Sequence, residues 1–232
     1  MQSMTRAFDL FHPAPILNQA HPVFVLVGST RAPVTSIVAD PSRFGSAIRC
    51  FLSPFDAVME LLFLRRRGDK TVEAVRRSNF LARDFFYART FRQRPLSVHI
   101  AWLAHDHRLV ARPDGFLARI ACDQDARWRV RIRPSDELVI NARTWSTLDR
   151  VHEDAGLFAW RETLHLVRGW LATPAEAEAV LERAFSALAA VDPIVIPVDD
   201  ATQLALHDPE AGCWHFVPRT LLVQNASACQ RD

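Results

Sequence analysis

The chain has 232 residues, of which 49% are apolar and 23% charged, and its formal net charge is +2. This balance is typical of a globular protein that buries a sizeable core, and it excludes disordered and fibrous classes. Residues 1–20 lack a continuous apolar run of about 7–15 residues, and no stretch approaches the about 20 apolar residues of a membrane span. We therefore expect neither a secretory signal nor membrane insertion.

The first predicted elements are two strands and a helix. Residues 22–28 form a short apolar run between proline and glycine, which is typical of a buried strand, and residues 48–52 form a second one. A helix should follow at once, because Ser53 can cap the free N–H groups and Pro54 suits the first helical position. This helix is expected to end near Gly68.

A second helix is predicted over residues 70–90, in the most basic part of the chain. Between Arg65 and Arg94 ten basic residues stand against three acidic ones, a net charge of +7. Interleaved aromatic residues make this a composition that can bind single-stranded nucleic acid, whereas the more ordinary interpretation places the aromatics in the core. The arginines that we single out here as contacts for an anionic surface are Arg65, Arg66, Arg67, Arg76 and Arg77.

The middle of the chain has the pattern of an antiparallel meander. Strands are predicted over residues 96–103, 108–111 and 116–122, with turn signals at residues 105–106 and 113–115. Histidine and aspartate side chains near the first turn could bind a metal ion or act as bases, but polar residues are expected at a hairpin tip in any case. The residues concerned, whose spacing matches no known ligand frame, are His99, His105, Asp106 and His107.

Residues 127–133 alternate strictly between apolar and basic side chains, which predicts a strand with two unlike faces. The basic face could bind phosphate, nucleic acid or an acidic protein surface, because unpaired guanidinium groups repel one another. The alternative is a solvated face balanced by carboxylates of neighbouring strands. The arginines of this stripe are Arg127, Arg129, Arg131 and Arg133.

A helix is predicted over residues 143–153, ending near Gly156, and a strand over residues 157–167. In a strand, Glu162 and His165 face opposite sides and cannot share one metal ion. Glu162 would instead lie among apolar side chains, where burial raises the pKa of a carboxyl group. It is therefore a candidate general acid or base, although we favour its pairing with an arginine at a sheet edge.

The next predicted element is the clearest helix of the chain. Thr173 and Glu176 have capping-box spacing, and apolar residues then recur at helical period until Asp192 and Pro193 end the pattern. A strand over residues 194–198 is expected to follow.

A hairpin of residues 202–207 and 213–217 is predicted near the C-terminus. We expect His207 and His215 on its polar face, where two histidines alone make a poor metal site. The apolar face should carry Leu204, Leu206, Trp214 and Phe216.

The organisation is predicted to be a single compact domain over residues 1–232, because seven glycines and no low-complexity linker leave no obvious hinge. Residues 49–57 and 168–177 echo each other, which could record a duplication of segments 20–95 and 125–200. The alternative is that Ser/Thr-Pro-x-Asp/Glu is simply a common way to start a helix.

Familiar catalytic and metal-binding motifs are absent. The sequence has no P-loop, GxGxxG, HExxH, GxSxG or EF-hand loop, and we assign no catalytic residue, metal or cofactor. The cysteines are far apart, a pattern typical of free thiols in a reducing compartment. They are Cys50, Cys122, Cys213 and Cys229.

The predicted fold is α+β, with a mixed, mostly antiparallel sheet covered by three to four helices. The leading functional hypothesis is a non-enzymatic protein-binding module of the bacterial cytoplasm, such as an immunity or adaptor protein that blocks a partner with an acidic surface. One alternative is a nucleic-acid-binding protein that uses the arginine-rich faces. The other is an enzyme with a non-local active site around Glu162, His99 and His165.

Overall fold

The structure is a computed structural model that describes residues 11–12, 23–28, 36–42, 45–68, 72–78, 96–124, 140–169 and 173–221. Within these residues the strands are β1 Phe11–His12, β2 Val23–Gly28, β3 Ser36–Ile37, β4 Ala39–Ser42, β5 Gly45–Phe51, β6 Val72–Ser78, β7 Leu96–His105, β8 Arg108–Ala111, β9 Arg119–Gln124, β10 Ile194–Val195, β11 Gln203–Asp208 and β12 Cys213–Pro218. The helices are α1 Pro54–Arg66, α2 Ala142–Asp154, α3 Trp160–Gly169 and α4 Pro174–Ala190, with a short 3-10 helix at Val198–Asp200.

The strands form one mixed sheet with the main order β1-β6-β2-β5-β7-β11-β12. Among the described strands three pairs are parallel, namely β1 with β6, β5 with β7, and β8 with β10. The remaining pairs are antiparallel. The predicted α+β class, with a mostly antiparallel sheet under helical cover, is confirmed.

Strand β7 lies at the centre of the sheet, and two different strands pair with different parts of one of its edges. Strand β9 pairs with β7 from Leu96 to Trp102 on one edge. On the opposite edge β5 pairs with residues 96–98 and β11 pairs with residues 102–104. Residues 99–101 therefore have neither β5 nor β11 beside them, and the sheet opens at this point.

Each face of the sheet carries an apolar core, as the alternation of strand side chains requires. Along β2, Phe24 and Leu26 belong to the core under α1 and α4, while Val25 belongs to the core under α2 and α3. In the first core α1 packs directly on α4. In the second, α2 and α3 contribute residues such as Leu148 and Leu164.

Both predicted helix starts are confirmed. The Ser53 hydroxyl accepts a hydrogen bond from the backbone N–H of Phe55 at 3.1 Å, and α1 ends just before Gly68, whose φ is +82°. At the start of α4, the Thr173 hydroxyl accepts from the N–H of Glu176, and the Glu176 carboxylate accepts from the N–H of Thr173 at 2.8 Å. These bonds satisfy N–H groups that the helix itself leaves free.

The helix predicted over residues 70–90 is wrong over its described part. Residues Val72–Ser78 form strand β6, which pairs with β2 through partners such as Leu26 and Val75. The backbone hydrogen bonds to a buried strand override a local composition that favours a helix. Residues 79–95 lie outside the described part of the chain.

The strand predicted over residues 157–167 is also wrong, because most of this segment is helix α3. The buried residues are Trp160, Leu164 and Val167, which recur at helical spacing. Phe158 and Leu166 completed the apparent alternation, yet they are 79% and 51% exposed. These two exposed apolar residues gave the segment the alternating apolar pattern that is typical of a strand.

The other described elements largely follow the predictions. Strands β7 and β8, helix α2 and the β11–β12 hairpin are confirmed, while β9 is shifted to Arg119–Gln124 and β10 ends at Val195. The turn after β7 has positive φ at Asp106 and His107, as a two-residue hairpin requires. No helix in the described ranges is long and apolar enough to cross a membrane.

Candidate functional site

A cavity of about 230 Å³ lies where the sheet opens beside β7. Its walls come from the first turn of α1, the middle of β7, the end of β11, and helices α2 and α3. We call it the His99 pocket. The side chains on which its chemistry depends are Asp56, His99, His152, Trp160, Thr163 and His207.

A β-bulge in β7 sets the floor of the pocket. The pairing of β7 with β9 shifts register between His99 and Ala101, so one residue is added to β7 at this point. As a result Ile100 and Ala101 both belong to the α2–α3 core, while Trp102 belongs to the α1 core. His99 and Trp102 become neighbours on the α1 side, with ring centroids 4.3 Å apart.

Asp56 and His99 face each other across this floor. The Nε2 atom of His99 lies 3.9 Å from Oδ2 of Asp56, which belongs to the first turn of α1. Burial raises the pKa of Asp56 to about 7, and the indole N–H of Trp102 only partly opposes that rise. Both the acid and the carboxylate forms of Asp56 are therefore populated near neutral pH.

His99 is neutral in this setting. Burial lowers its pKa well below the usual value of 6.5, and the positive charges of Arg119 and Arg49 lower it further. Its Nδ1 atom is buried and has no hydrogen-bond partner among the described residues. Buried polar groups without partners are uncommon in proteins, so each calls for a ligand or a solvent molecule.

His207 adds two further unpartnered nitrogens on the β11 side. Its ring stacks on Phe55 at 5.8 Å and contacts Trp214 edge-on at 5.1 Å. Burial lowers its pKa to about 4, so the ring is neutral. Within the described chain, neither Nδ1 nor Nε2 of His207 has a hydrogen-bond partner.

His152 stands on the opposite wall in a fixed tautomer. Its Nδ1–H donates to the carbonyl of Leu148 at 2.8 Å, which leaves Nε2 as an acceptor. The ring stacks on Trp160 with centroids 4.2 Å apart. Burial lowers the pKa of His152 to about 4, so a third neutral imidazole lines the pocket.

The rim of the pocket carries two more carboxyl groups, Asp208 and Glu210. The Glu210 carboxylate accepts a hydrogen bond from the Thr163 hydroxyl, which ties the β11–β12 turn to α3. Among the described residues no lysine or arginine lines the pocket. In the described ranges no three His, Cys, Asp or Glu side chains are grouped closely enough to hold a metal ion.

A buried ionic network lies behind the floor of the pocket. The Arg49 guanidinium donates to Glu60 at 2.8 Å and to Asp40 at 3.0 Å, while Arg119 donates to Asp40 and to the Ser97 hydroxyl. Burial tends to raise the pKa of Asp40, but its two guanidinium partners outweigh burial and hold that pKa below its usual value.

Glu60 is only partly satisfied within this network. Burial raises its pKa to about 7, although Arg49 and the backbone N–H of Leu117 oppose the rise. Its Oε2 atom is buried without a hydrogen-bond partner in the described chain. Glu60 and Asp56 are one turn apart on α1, so one helix face brings two carboxyl groups of raised pKa to the sheet.

Of the candidate site residues in the described ranges, His99 and His207 line the pocket. Glu162 and His165 are exposed on helix α3, so the predicted buried strand face and the sheet-edge pairing of Glu162 are both wrong. His105 and Asp106 lie at the β7–β8 turn, where Nδ1 of His105 is 2.9 Å from the carbonyl oxygen of Asp200. That hairpin tip is a structural feature apart from the pocket.

The predicted arginine surfaces are only partly described. Arg65, Arg66 and Arg67 are exposed at the end of α1. Arg76 and Arg77 lie in β6, and their backbones pair with Val25 and Phe24 of β2. The stripe of Arg127, Arg129, Arg131 and Arg133 lies outside the described residues.

The predicted faces of the C-terminal hairpin are wrong. His207 pairs with Trp214, and Ala205 pairs with Phe216, so His207 shares its face with the two aromatics. His215 pairs with Leu206 on the opposite face. The prediction was wrong because the observed pairing of β11 with β12 differs by one residue from the expected pairing. A shift of one residue moves the side chains of a strand to the opposite face of the sheet.

Sequence reasoning therefore missed Asp56 and His152 as pocket residues and placed His207 on the wrong face of the hairpin. The usable signal was in α1, where Asp56 and Glu60 interrupt an otherwise apolar sequence at helical spacing. Comparison with protein-family models, with curated proteins and with solved structures gives no match. The site is therefore interpreted from its own geometry.

Proposed function

We propose that this protein binds a small molecule in the His99 pocket and exchanges a proton with it through Asp56. One observation carries the proposal, namely that His99 and His207, whose buried ring nitrogens lack hydrogen-bond partners in the described chain, both line a single cavity. An unsatisfied buried polar group costs about 1–3 kcal/mol. A ligand that hydrogen bonds to these nitrogens removes that cost, and the cavity has the mixed apolar and polar lining typical of ligand sites.

Asp56 supplies the proton exchange in this proposal. A general acid or base works best when its pKa is close to the working pH, and the pKa of Asp56 is about 7. His99 is neutral, and its Nε2 lies 3.9 Å from Oδ2 of Asp56, so the two groups are adjacent without a direct hydrogen bond. Asp56 is thus the proton-transfer group, and His99 is the neutral side chain beside it. This retains His99 from the predicted enzyme alternative and replaces Glu162.

Fragment binding tests the proposal directly. Saturation-transfer NMR with a fragment library of mixed charge is expected to give hits that are lost in Asp56→Asn and in His207→Phe. Glu60→Gln is the matched control, since Glu60 is also buried on α1 with a pKa of about 7 but does not line the pocket. Melting temperatures establish that the variants fold. A library without any hit that depends on Asp56 or His207 would contradict the proposal.

A second candidate function is the predicted protein-binding module, an immunity or adaptor protein of the bacterial cytoplasm. It is supported by the end of α1, where the Arg66 guanidinium lies 4.8 Å from the ring centroid of Phe185, itself 50% exposed. With exposed Arg67 alongside, this basic and aromatic surface suits a partner with an acidic surface.

The second candidate needs its own test. A native-lysate pull-down read by mass spectrometry should return an acidic protein, and the purified partner should lose affinity for Arg66→Glu/Arg67→Glu. Steeply salt-dependent retention on DNA, lost in the same variant, would instead support the nucleic-acid alternative. Binding that is unchanged in the double variant would remove this surface from either function.

A further inference from the structure

We infer that the His99 pocket selects a compact organic cation with several N–H donors, such as an amine, amidine or guanidine. This inference rests on the proposed function, because it names the class of molecule that the same pocket takes. It is carried by three features of the described lining: the sign of its charges, its hydrogen-bonding capacity and its aromatic wall.

The charges around the pocket favour a cation. Its described lining contains three carboxyl side chains and no lysine or arginine. The nearest buried cations, Arg49 and Arg119, are ion-paired with Asp40 behind the floor. An anion would meet carboxyl groups without a guanidinium to hold it, and burying such an unpaired charge is costly. Phosphates and carboxylic acids are therefore poor ligands for this site.

The hydrogen-bonding groups favour a ligand that is rich in donors. A carboxylate offers only acceptors, and a neutral imidazole offers one acceptor and one donor. The Nε2 atom of His152 is an acceptor, because its Nδ1 carries the proton that Leu148 accepts. Asp56, Asp208 and Glu210 add carboxyl oxygens to the same lining, and the neutral rings of His99 and His207 each contain one acceptor nitrogen. Acceptors outnumber donors, which an amidine or guanidine matches with its several N–H groups.

The aromatic wall and the volume limit the ligand's size and shape. Trp160 stacks on His152 on one side of the cavity, and exposed Phe158 stands at the rim. Since Trp160 is stacked on His152 and has the Arg161 guanidinium 5.8 Å from its ring centroid, Phe158 supplies the exposed aromatic face, and such faces attract cations and planar groups. A cavity of 230 Å³ is below the about 300–1,000 Å³ usual for drug-sized ligands. A planar cation with a short apolar part fits these limits.

Proton release is expected on binding. The titratable groups that line the pocket with Asp56 are the neutral rings of His99, His152 and His207 and the carboxyl groups of Asp208 and Glu210. Arg49, Arg119 and Glu60 belong to the network behind the floor. A bound cation stabilises the Asp56 carboxylate, so near neutral pH the protein releases part of a proton when it binds. Well above the pKa of Asp56 this release disappears.

Benzamidine, benzamide and benzoate are the probes, since they share one planar shape and differ in charge. Calorimetry in two buffers of different ionisation enthalpy measures affinity and proton release together. Benzamidine is expected to bind at least about tenfold more tightly than benzamide, because charge-assisted hydrogen bonds are about twice as strong as neutral ones. Benzoate should not bind. Asp56→Asn should lose the preference, and Glu60→Gln should keep it.

The outcomes separate this inference from the proposed function. Equal or tighter binding of benzamide or benzoate overturns the cation class, and so does failure of all three probes while other fragments bind in an Asp56-dependent way. In both cases the proposed function stands. If no fragment of any charge binds through Asp56 or His207, the proposed function and this inference fail together.

Discussion

Oδ2 of Asp56 lies 3.9 Å from Nε2 of His99, at the place where the first turn of α1 meets the bulge of β7. Two local features lie at this place. The Ser53 cap starts α1 just before Asp56, and the bulge places Trp102 beside His99 on the side of β7 that faces α1. The proton on Asp56 is consequently linked both to the stability of the fold and to the contents of the pocket.

Asp56→Asn is expected to remove the loss of folding stability that occurs when the buried Asp56 carboxyl group ionises. Burial raises the pKa of Asp56 from 3.8 to about 7, so between these values the native state binds more protons than the unfolded state. Wild-type stability from this group therefore falls as pH rises through that window. Relative to wild type, the variant's free energy of unfolding should rise by about 1–3 kcal/mol between about pH 5 and pH 8. Urea unfolding of both proteins at the two pH values measures this change. If the difference in free energy of unfolding between variant and wild type is the same at both pH values, the pKa of Asp56 is not raised.

His207→Phe is expected to stabilise the fold while removing the ligand site. Phenylalanine keeps the stacking on Phe55 and contains none of the unpartnered nitrogens. Since burial lowers the pKa of His207 from 6.5 to about 4, the wild type loses stability as pH falls through that window. The variant should be more stable by about 1–3 kcal/mol, with a larger gain at about pH 5 than at pH 7. Thermal unfolding at the two pH values checks this, and a destabilised variant would mean that His207 has a partner in solution.

Arg49→Met should be strongly destabilising, by about 3–5 kcal/mol, since it leaves Glu60 buried without its cation. Arg49→Met/Glu60→Met removes both charges and should lose clearly less than the sum of the single variants. Chemical unfolding of the four proteins gives the double-mutant cycle. Additive losses would mean that the two side chains do not interact in solution.

Leu164→Ala and Leu166→Ala distinguish a helix from a strand in α3. Leu164 is 7% exposed and Leu166 is 51% exposed, although both would lie on one face of a strand. Leu164→Ala should cost about 2–4 kcal/mol and Leu166→Ala less than about 0.5 kcal/mol. Equal losses in thermal unfolding would favour the strand.

The parts of the fold that sequence predicts well are those set by local chemistry. The caps at Ser53 and Thr173 and the turn at Asp106 depend on neighbouring residues, and each is confirmed. Strand β6 depends instead on pairing with β2, nearly fifty residues away in sequence. The error in α3 came from exposed Phe158 and Leu166, whose positions imitate alternation.

The pocket was beyond sequence reasoning for a similar reason. His99 could be singled out, and Asp56 could be recognised as favouring the start of a helix. Their approach depends on how α1 packs on β7, and the neighbouring bulge at Ile100 has no reliable local signature. His152 and His207 come from helix α2 and strand β11, which only tertiary packing brings to the same cavity.

The pKa of the Asp56 carboxyl group decides whether the pocket contains a proton-transfer group. Carbon-detected NMR of ¹³C-labelled protein follows each carboxyl carbon with pH, and Asp56→Asn identifies the Asp56 signal by its loss. We expect that signal to titrate with a pKa of about 7, and to shift to lower pH when benzamidine is bound. A carboxyl that titrates near 4, as an exposed aspartate does, would contradict the proposed role of Asp56.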